Sequence, residues 1–375
     1  MEQLKRYFSE SFFNERIVGL NQKPVDAIVS MSPNRVEIQP TTRCNRHCSF
    51  CSHSERNKSG SELSQAEVEQ IINDLVKLSC HNVSFSGGGE PFSWRFGQLA
   101  TAIAYANQYM DVTLTTNGDG FWDENNDCPV NLAIMKNCSS LIINTPEVDD
   151  ARFREMVHGN CNWIKTRKVL TSLVAFKEKE QCECSICCVV VVNKKNILSL
   201  SEIDRCLTEL GVTRIYYKSL KHFEDNNLDE LVADDLSIKQ LRRYLAETQD
   251  NISVWLRDFL NSLDVPNTSL GNHCWANMLG LSAIVDPNGD VFLCTPYVGR
   301  KDYSLGNIHQ AKFIELWNSE ERYQLILRMH QSYADEQCPQ ECRFKTYNAL
   351  IDRFLCKKQI PEEMTVNAGI DDYIS

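Results

Sequence analysis

The chain has 375 residues, 42% of them hydrophobic, enough to bury one large domain with an appendage. Its 39 basic and 50 acidic side chains leave a formal charge of −11, which argues against a dedicated nucleic-acid surface or an electrostatic membrane anchor. No stretch approaches 18 consecutive apolar residues, and the opening MEQLKRYFSESFFNERIVGL is too charged for a signal-peptide core, so a cytoplasmic protein with no membrane or nucleic-acid partner is expected.

Residues 1–34 read as an N-terminal extension. From residue 35 to about 220, β-branched runs alternate with longer helical patterns, as in a parallel sheet built from βα units. The predicted strands are RVEIQ (35–39), NVSFS (82–86), DVTLTT (111–116), SLIINT (140–145), CSICCVVVV (184–192) and TRIYYK (213–218). Among the intervening helices, SQAEVEQIINDLVKLS repeats its apolar residues near the 3.6 period. Such units either open into a doubly wound sheet or curl into a barrel. Residues 231–270 read as a helical linker, containing LSIKQLRRYLAETQ and SVWLRDFLNSL and ending in the turn-rich DVPNTSLGN. A second module over 271–375 follows, with a hairpin in LSAIVDPNGDVFLC and a helix across AKFIELWNSEERYQLILRM.

In a reducing compartment, seventeen cysteines are buried thiols or soft-metal ligands, and spacing has to separate the two groups. TTRCNRHCSFCSH sets Cys44, Cys48 and Cys51 directly after the first strand with no regularly spaced fourth cysteine. Three thiolates hold a [4Fe–4S] cluster with one iron open to a small molecule, whereas His47 or His53 completing a tetrahedral zinc site is the alternative. Cys182, Cys184, Cys187 and Cys188 resemble a metal tract. Cys184 to Cys188 open a buried strand on which successive side chains point to opposite faces, so the four cannot all converge and read as core thiols.

CNRHCSFC is a C-x3-C-x-aromatic-C arrangement, and with it the chain resembles the radical S-adenosylmethionine (SAM) enzymes. The resemblance implies a partial (β/α)6 TIM-like barrel over 35–230, with Cys44, Cys48 and Cys51 holding a [4Fe–4S] cluster that binds SAM and Phe50 packed beside it. The family's GGE motif, which meets the SAM amino group, falls in SGGGEP at Gly88, Gly89 and Glu90, with Gly87 beside it as a further cofactor-side candidate. TTNG brings Asn117 to the end of the third strand, and Asn144 stands where a polar side chain often contacts SAM. Many members carry Arg-Gly where this chain has His158 and Gly159, so no cofactor contact is carried onto that pair.

Cys274-x14-Gly289-x4-Cys294 followed by Cys338-x3-Cys342 resembles the SPASM or twitch auxiliary-cluster module of the same enzymes. No cysteine lies between Cys294 and Cys338, so the implied complement is one auxiliary [4Fe–4S] cluster on Cys274, Cys294, Cys338 and Cys342, with a tetrathiolate zinc site as the rival. The second module is thus a smaller twitch/SPASM-like hairpin-plus-helix unit. In YYKSLKH, Tyr217, Lys218 and His222 are the candidate substrate-side groups.

The resemblance implies hydrogen abstraction, and the expected reaction is oxidation or epimerisation of a small polar metabolite of sugar or aminocyclitol type, assisted by the auxiliary cluster and by an external one-electron reductant such as flavodoxin or ferredoxin. The 43 residues ahead of Cys44 are too few for a leader-peptide binder, which favours the metabolite over peptide crosslinking or epimerisation. A non-redox zinc protein and an iron–sulfur electron carrier stand behind these two.

Overall fold

The computed structural model describes residues 31–53, 60–159, 161–220, 228–248, 251–263 and 274–334, with Phe344 and Asn348. Two compact units emerge, one drawn from residues 1–38, 66–83 and 265–375, the other from 39–65 and 84–264.

The first unit joins the two ends of the sequence. Strand β1 (Arg35–Ile38) pairs in parallel with β7 (Ser282–Val285), Arg35 opposite Ser282. β7, β8 (Asp290–Phe292) and β9 (Ser304–Asn307) form an antiparallel meander. Every residue of β7 is buried, as expected of a strand with neighbours on both sides. The hairpin expected from Pro-Asn-Gly-Asp is present: Asp286 Oδ1 accepts from the Asn288 and Asp290 amides, and Gly289 takes the positive φ of +82° that the turn demands. Helix α1 (Gln65–Lys77) buries Val68, Ile71, Ile72 and Leu75, the stripe its periodicity predicts. Where one helix was expected across residues 311–329 there are two, Phe313–Trp317 and Glu320–Ala334, parted at Asn318–Ser319, where the Ser319 hydroxyl accepts from Arg322 N (3.3 Å) and starts the second.

The second unit carries β3 (Asp111–Thr116), β4 (Ser140–Asn144), β5 (Ser185–Val192) and β6 (Arg214–Ser219), neighbours in that order and all parallel. β2 (Asn82–Phe85) is divided between the units. All six predicted strands are present within a residue or two. The architecture is α/β with a mainly parallel sheet, that of a partial TIM-like barrel.

Register assigns the faces. Ile142, Cys187 and Val189 pack together with Tyr216, and pairing places Asn144 opposite Val189 and Val191 opposite Lys218, so Asn144, Tyr216 and Lys218 share one face. The alternate residues Leu141, Ile143 and Val190 are fully buried, and Tyr217 among them meets the helix layer. Helix α2 spans Leu99–Ala106, and helix α3 (Asp150–Val157) starts at Asp149, whose side chain accepts from Arg152 N, and stops at left-handed His158.

Candidate active site

The segment from Gln39 to Cys51 leaves β1 without regular structure, so its backbone groups need partners elsewhere. Thr42 N donates to Ser61 O (2.9 Å), while Gly89 N and Glu90 N donate to the Thr41 and Arg43 carbonyls, each at 2.7 Å. The glycine triplet serves two purposes. Gly87 and Gly88 adopt φ of +62° and +59°, and a Cβ on Gly89 would stand 2.0 Å from the Arg43 carbonyl oxygen. Downstream, His47 N and Ser49 N donate to carbonyls at the C-terminus of α3: Val157 and His158 at 3.2 Å each, and Met156 at 2.9 Å. Those last-turn carbonyls have no partner within their own helix, so the loop is anchored where acceptors are available.

Cys44, Cys48 and Cys51 are partly exposed along this loop. Arg46 N donates to Cys44 Sγ (3.4 Å), and the His53 backbone donates to Cys51. Burial pushes the Cys44 thiol up to about 11, with the Arg46 amide and guanidinium pulling it down; desolvation raises Cys48 and Cys51 as well. Phe50 is buried beside them in the chain. Arg46 was missed as a site residue: its guanidinium is buried, clasps Asp119 through two hydrogen bonds (2.8 and 2.6 Å) and lies 5.5 Å from the Phe153 ring. An arginine inside a C-x3-C loop was the available signal.

Glu90 is buried and fully occupied by donors, accepting from Thr116 Oγ1 (2.5 Å), Asn117 N (2.7 Å) and Phe92 N (3.2 Å). Burial raises it to about 6 against those three bonds. Asn117 is similarly engaged, donating to Asn45 Oδ1 (2.7 Å) and accepting from Asp119 N (2.9 Å). Both residues therefore join the TTNG end of β3 to the cysteine loop. Asn144 differs: its Oδ1 is buried and makes no hydrogen bond among the described residues.

On β6 the two substrate-side candidates separate. Tyr217 OH donates to Asp204 Oδ1 (2.8 Å), a carboxylate that also holds Ser253, and the ring lies 5.8 Å from that of Phe259. Burial and Asp204 push the phenol well above its ordinary range. The alternation of the strand turns Tyr217 to the helices, so it stands away from the face that carries Lys218. Lys218 is exposed, its ammonium 5.7 Å from the Tyr216 ring. His222 lies outside the described residues.

In the first unit, Cys274 precedes the short helix Trp275–Met278 and Cys294 follows β8; both are buried. Phe292 pairs with Ile284, which brings Cys294 level with Ser282 at the open end of the hairpin. Leu281 N donates to Ala276 O (2.9 Å), holding the helix that starts at Cys274 at the same end. Cys338 and Cys342 lie outside the described residues. Cys187 and Cys188 are buried on opposite faces of β5 and Cys184 is buried one residue ahead of it, as expected, whereas Cys182, expected to be a core thiol too, is partly exposed ahead of the strand. Among the described residues no three Cys, His, Asp or Glu side chains converge as for one shared ion, and no helix is long and apolar enough to cross a membrane.

Comparison with known proteins places these features. The radical SAM superfamily profile matches residues 38–180, and that of an iron–sulfur cluster-binding domain, SPASM, matches 274–343. The mycofactocin maturase MftC of Mycolicibacterium smegmatis is 24% identical over 339 residues, 86% of this chain and 78% of that protein. A probable GTP 3′,8-cyclase of Methanocella arvoryzae is 36% identical over 84 residues, 22% of this chain; the match spans 26% of that relative's own length. Two solved structures share the fold: Streptococcus suis SuiB bound to SAM (TM-score 0.56, 15% identity, 78% of this chain and 67% of that one), and anSMEcpe with bound SAM and the Kp18Cys peptide (0.55, 15%, 83% and 88%).

The residues fit the groups these domains hold. A radical SAM domain binds SAM on a [4Fe–4S] cluster, and here three thiols share one loop with backbone donors aimed at two sulfurs and with an uncommitted Asn144 oxygen on the inner face. A SPASM domain holds auxiliary iron–sulfur clusters, and here two buried thiols share a hairpin end with the buried Thr295 hydroxyl, which makes no hydrogen bond among the described residues. The chain belongs to the radical SAM superfamily and carries a SPASM domain C-terminal to its barrel.

Proposed function

We propose that the protein is a maturase-type radical SAM enzyme that oxidises a peptide by hydrogen-atom abstraction. The observation that carries this reading is the maturase relative, whose similarity runs through both the barrel and the cluster module, 86% of this chain. Bound SAM and its cluster supply, on one-electron reduction from a donor such as flavodoxin or ferredoxin, a 5′-deoxyadenosyl radical, and the auxiliary cluster supplies an electron acceptor. Cys44, Cys48 and Cys51 hold the first cluster. Cys274, Cys294, Cys338 and Cys342 hold a single auxiliary [4Fe–4S] cluster. Gly87 to Gly89 bring main chain close to SAM, Asn144 Oδ1 accepts a hydrogen bond from it, and Glu90 and Asn117 lock the walls of its site. Lys218 on the inner face of β6 meets an anionic group of the substrate. Residues 35–230 act as the catalytic barrel and 271–375 as the cluster module.

Oxidation of a small polar metabolite is the second reading, favoured by the local 36% identity with a nucleotide cyclase. Anaerobically loaded protein decides between them when assayed for 5′-deoxyadenosine with peptides encoded beside its gene and with polyols and aminocyclitols. A peptide that stimulates cleavage and loses two hydrogens by mass supports the proposal. Stimulation by a polyol alone, with no peptide altered, overturns it.

A further inference from the structure

Asn348 has no place in the motifs, yet it is fully buried in the cluster-module unit. Its backbone N–H bonds the Phe344 carbonyl (2.9 Å), one helical turn earlier. Its side-chain Oδ1 accepts from Ala276 N at 2.9 Å, and its Nδ2 donates to Cys274 Sγ at 3.9 Å. The first contact fixes the second. A backbone N–H can only donate, so the amide oxygen must face Ala276 and the NH2 group is turned to the sulfur.

The local geometry explains why a side chain from so far along the sequence is needed. Helix Trp275–Met278 begins at Cys274, whose own side chain makes no capping bond, so its early N–H groups need an acceptor from elsewhere. Capping alone would be served by any buried acceptor. An amide adds a donor, and it places that donor on a cysteine.

We infer that Asn348 tunes the auxiliary cluster through a side-chain N–H···S bond to the Cys274 thiolate. A donor on a cluster sulfur stabilises the more negative, reduced state, so Asn348 raises the reduction potential and makes the cluster a better electron acceptor. The inference rests on the reading of Cys274 as a cluster ligand.

The test uses the full-length chain with Cys44, Cys48 and Cys51 replaced by alanine, so that the auxiliary cluster is read alone. About four irons per chain confirm that it is loaded; iron near zero overturns the ligand assignment, and the tuning role with it. With iron in place, redox titration followed by electron paramagnetic resonance compares Asn348 with Asn348→Leu, which removes donor and acceptor, and Asn348→Asp, which keeps the acceptor for Ala276. Both variants should shift the potential to more negative values, Asn348→Asp furthest because it adds a charge. Should either variant lose its cluster, ¹⁵N-asparagine labelling of the Asn348 protein still decides: pulsed resonance on the reduced cluster should show coupling to a side-chain amide nitrogen. An unmoved potential with iron retained, or no such coupling, overturns the tuning role while the ligand assignment stands.

Discussion

Cys44, Cys48 and Cys51 lie partly exposed on a loop without regular structure, whereas Cys274 and Cys294 are 7% and 6% exposed at the start of a helix and the end of a hairpin. The loop is fastened by borrowed partners: the carbonyls that end α3, the glycine-rich turn, and the Arg46–Asp119 pair. The hairpin site is fastened by strand pairing and burial. A site that must leave a coordination position open to a small molecule cannot be enclosed by packing, so polar ties define its shape. A site that closes on its metal can be part of the core.

The widest separation between the two regions should come from removing ligands. Replacing Cys44, Cys48 and Cys51 by alanine should halve the iron and lower 5′-deoxyadenosine formation by roughly a thousandfold or more, since such cleavage needs the open iron of the cluster. Cys274→Ala with Cys294→Ala should instead retain 5′-deoxyadenosine formation while product formation stops. Iron analysis and chromatography of both products measure this. Loss of cleavage in the double variant would mean that the hairpin site also supports the first cluster, and the contrast would collapse.

The sequence made the two regions legible to different depths. Strand positions were readable because buried parallel strands need uninterrupted β-branched runs, as in SICCVVVV, and the thiol trio because its spacing is short and local. What joins β1 to β7 was not readable, because pairing between residues 35 and 282 leaves no trace in either local pattern. Tyr217 was misplaced for a related reason. Alternation says that Tyr216 and Tyr217 face opposite ways, but only the contact with Asp204 tells which way is outward. Arg46, Asp119 and Asn348 were invisible as partners because each acts across the fold, over sequence separations of about seventy residues.

Charge should distinguish the regions next. Arg46 has 2% of its side chain exposed and Asp119 25%, so the consequences of breaking their pair are unequal. Asp119→Asn leaves a buried guanidinium without its counter-charge and should cost about 3–5 kcal/mol of local stability, while Arg46→Met leaves a carboxylate that water reaches and should cost less, about 1–2 kcal/mol. Hydrogen exchange should show faster opening of the cysteine loop in that order, with the β7–β8 amides unchanged. Equal effects, or exchange spreading into the hairpin, would show that the loop is not held separately.

The smallest expected difference is one of pH. Glu90 sits with its pKa at about 6, above the 4.5 of an ordinary glutamate, because burial outweighs the bonds from Thr116, Asn117 and Phe92. Below pH 4.5 the native and unfolded states both hold the proton, and the protonated form's advantage in the fold is fully present. Between 4.5 and 6 the unfolded chain has lost the proton that the native chain keeps, so stability falls as pH rises, and above 6 both are ionised and the loss levels off. At 1.36 kcal/mol per pKa unit the whole change is about 2 kcal/mol. Asp286 in the hairpin turn is raised by burial as well, from an ordinary value of 3.8, so it contributes with the same sign in a window that opens lower. Substitution separates the two: Glu90→Gln should flatten the pH dependence of amide exchange at Phe92 and Asn117 and leave that at Asn288 and Asp290 as it was. If the slope survives Glu90→Gln, another group titrates near the glycine-rich turn, and the polar ties that define the open site include one not yet assigned.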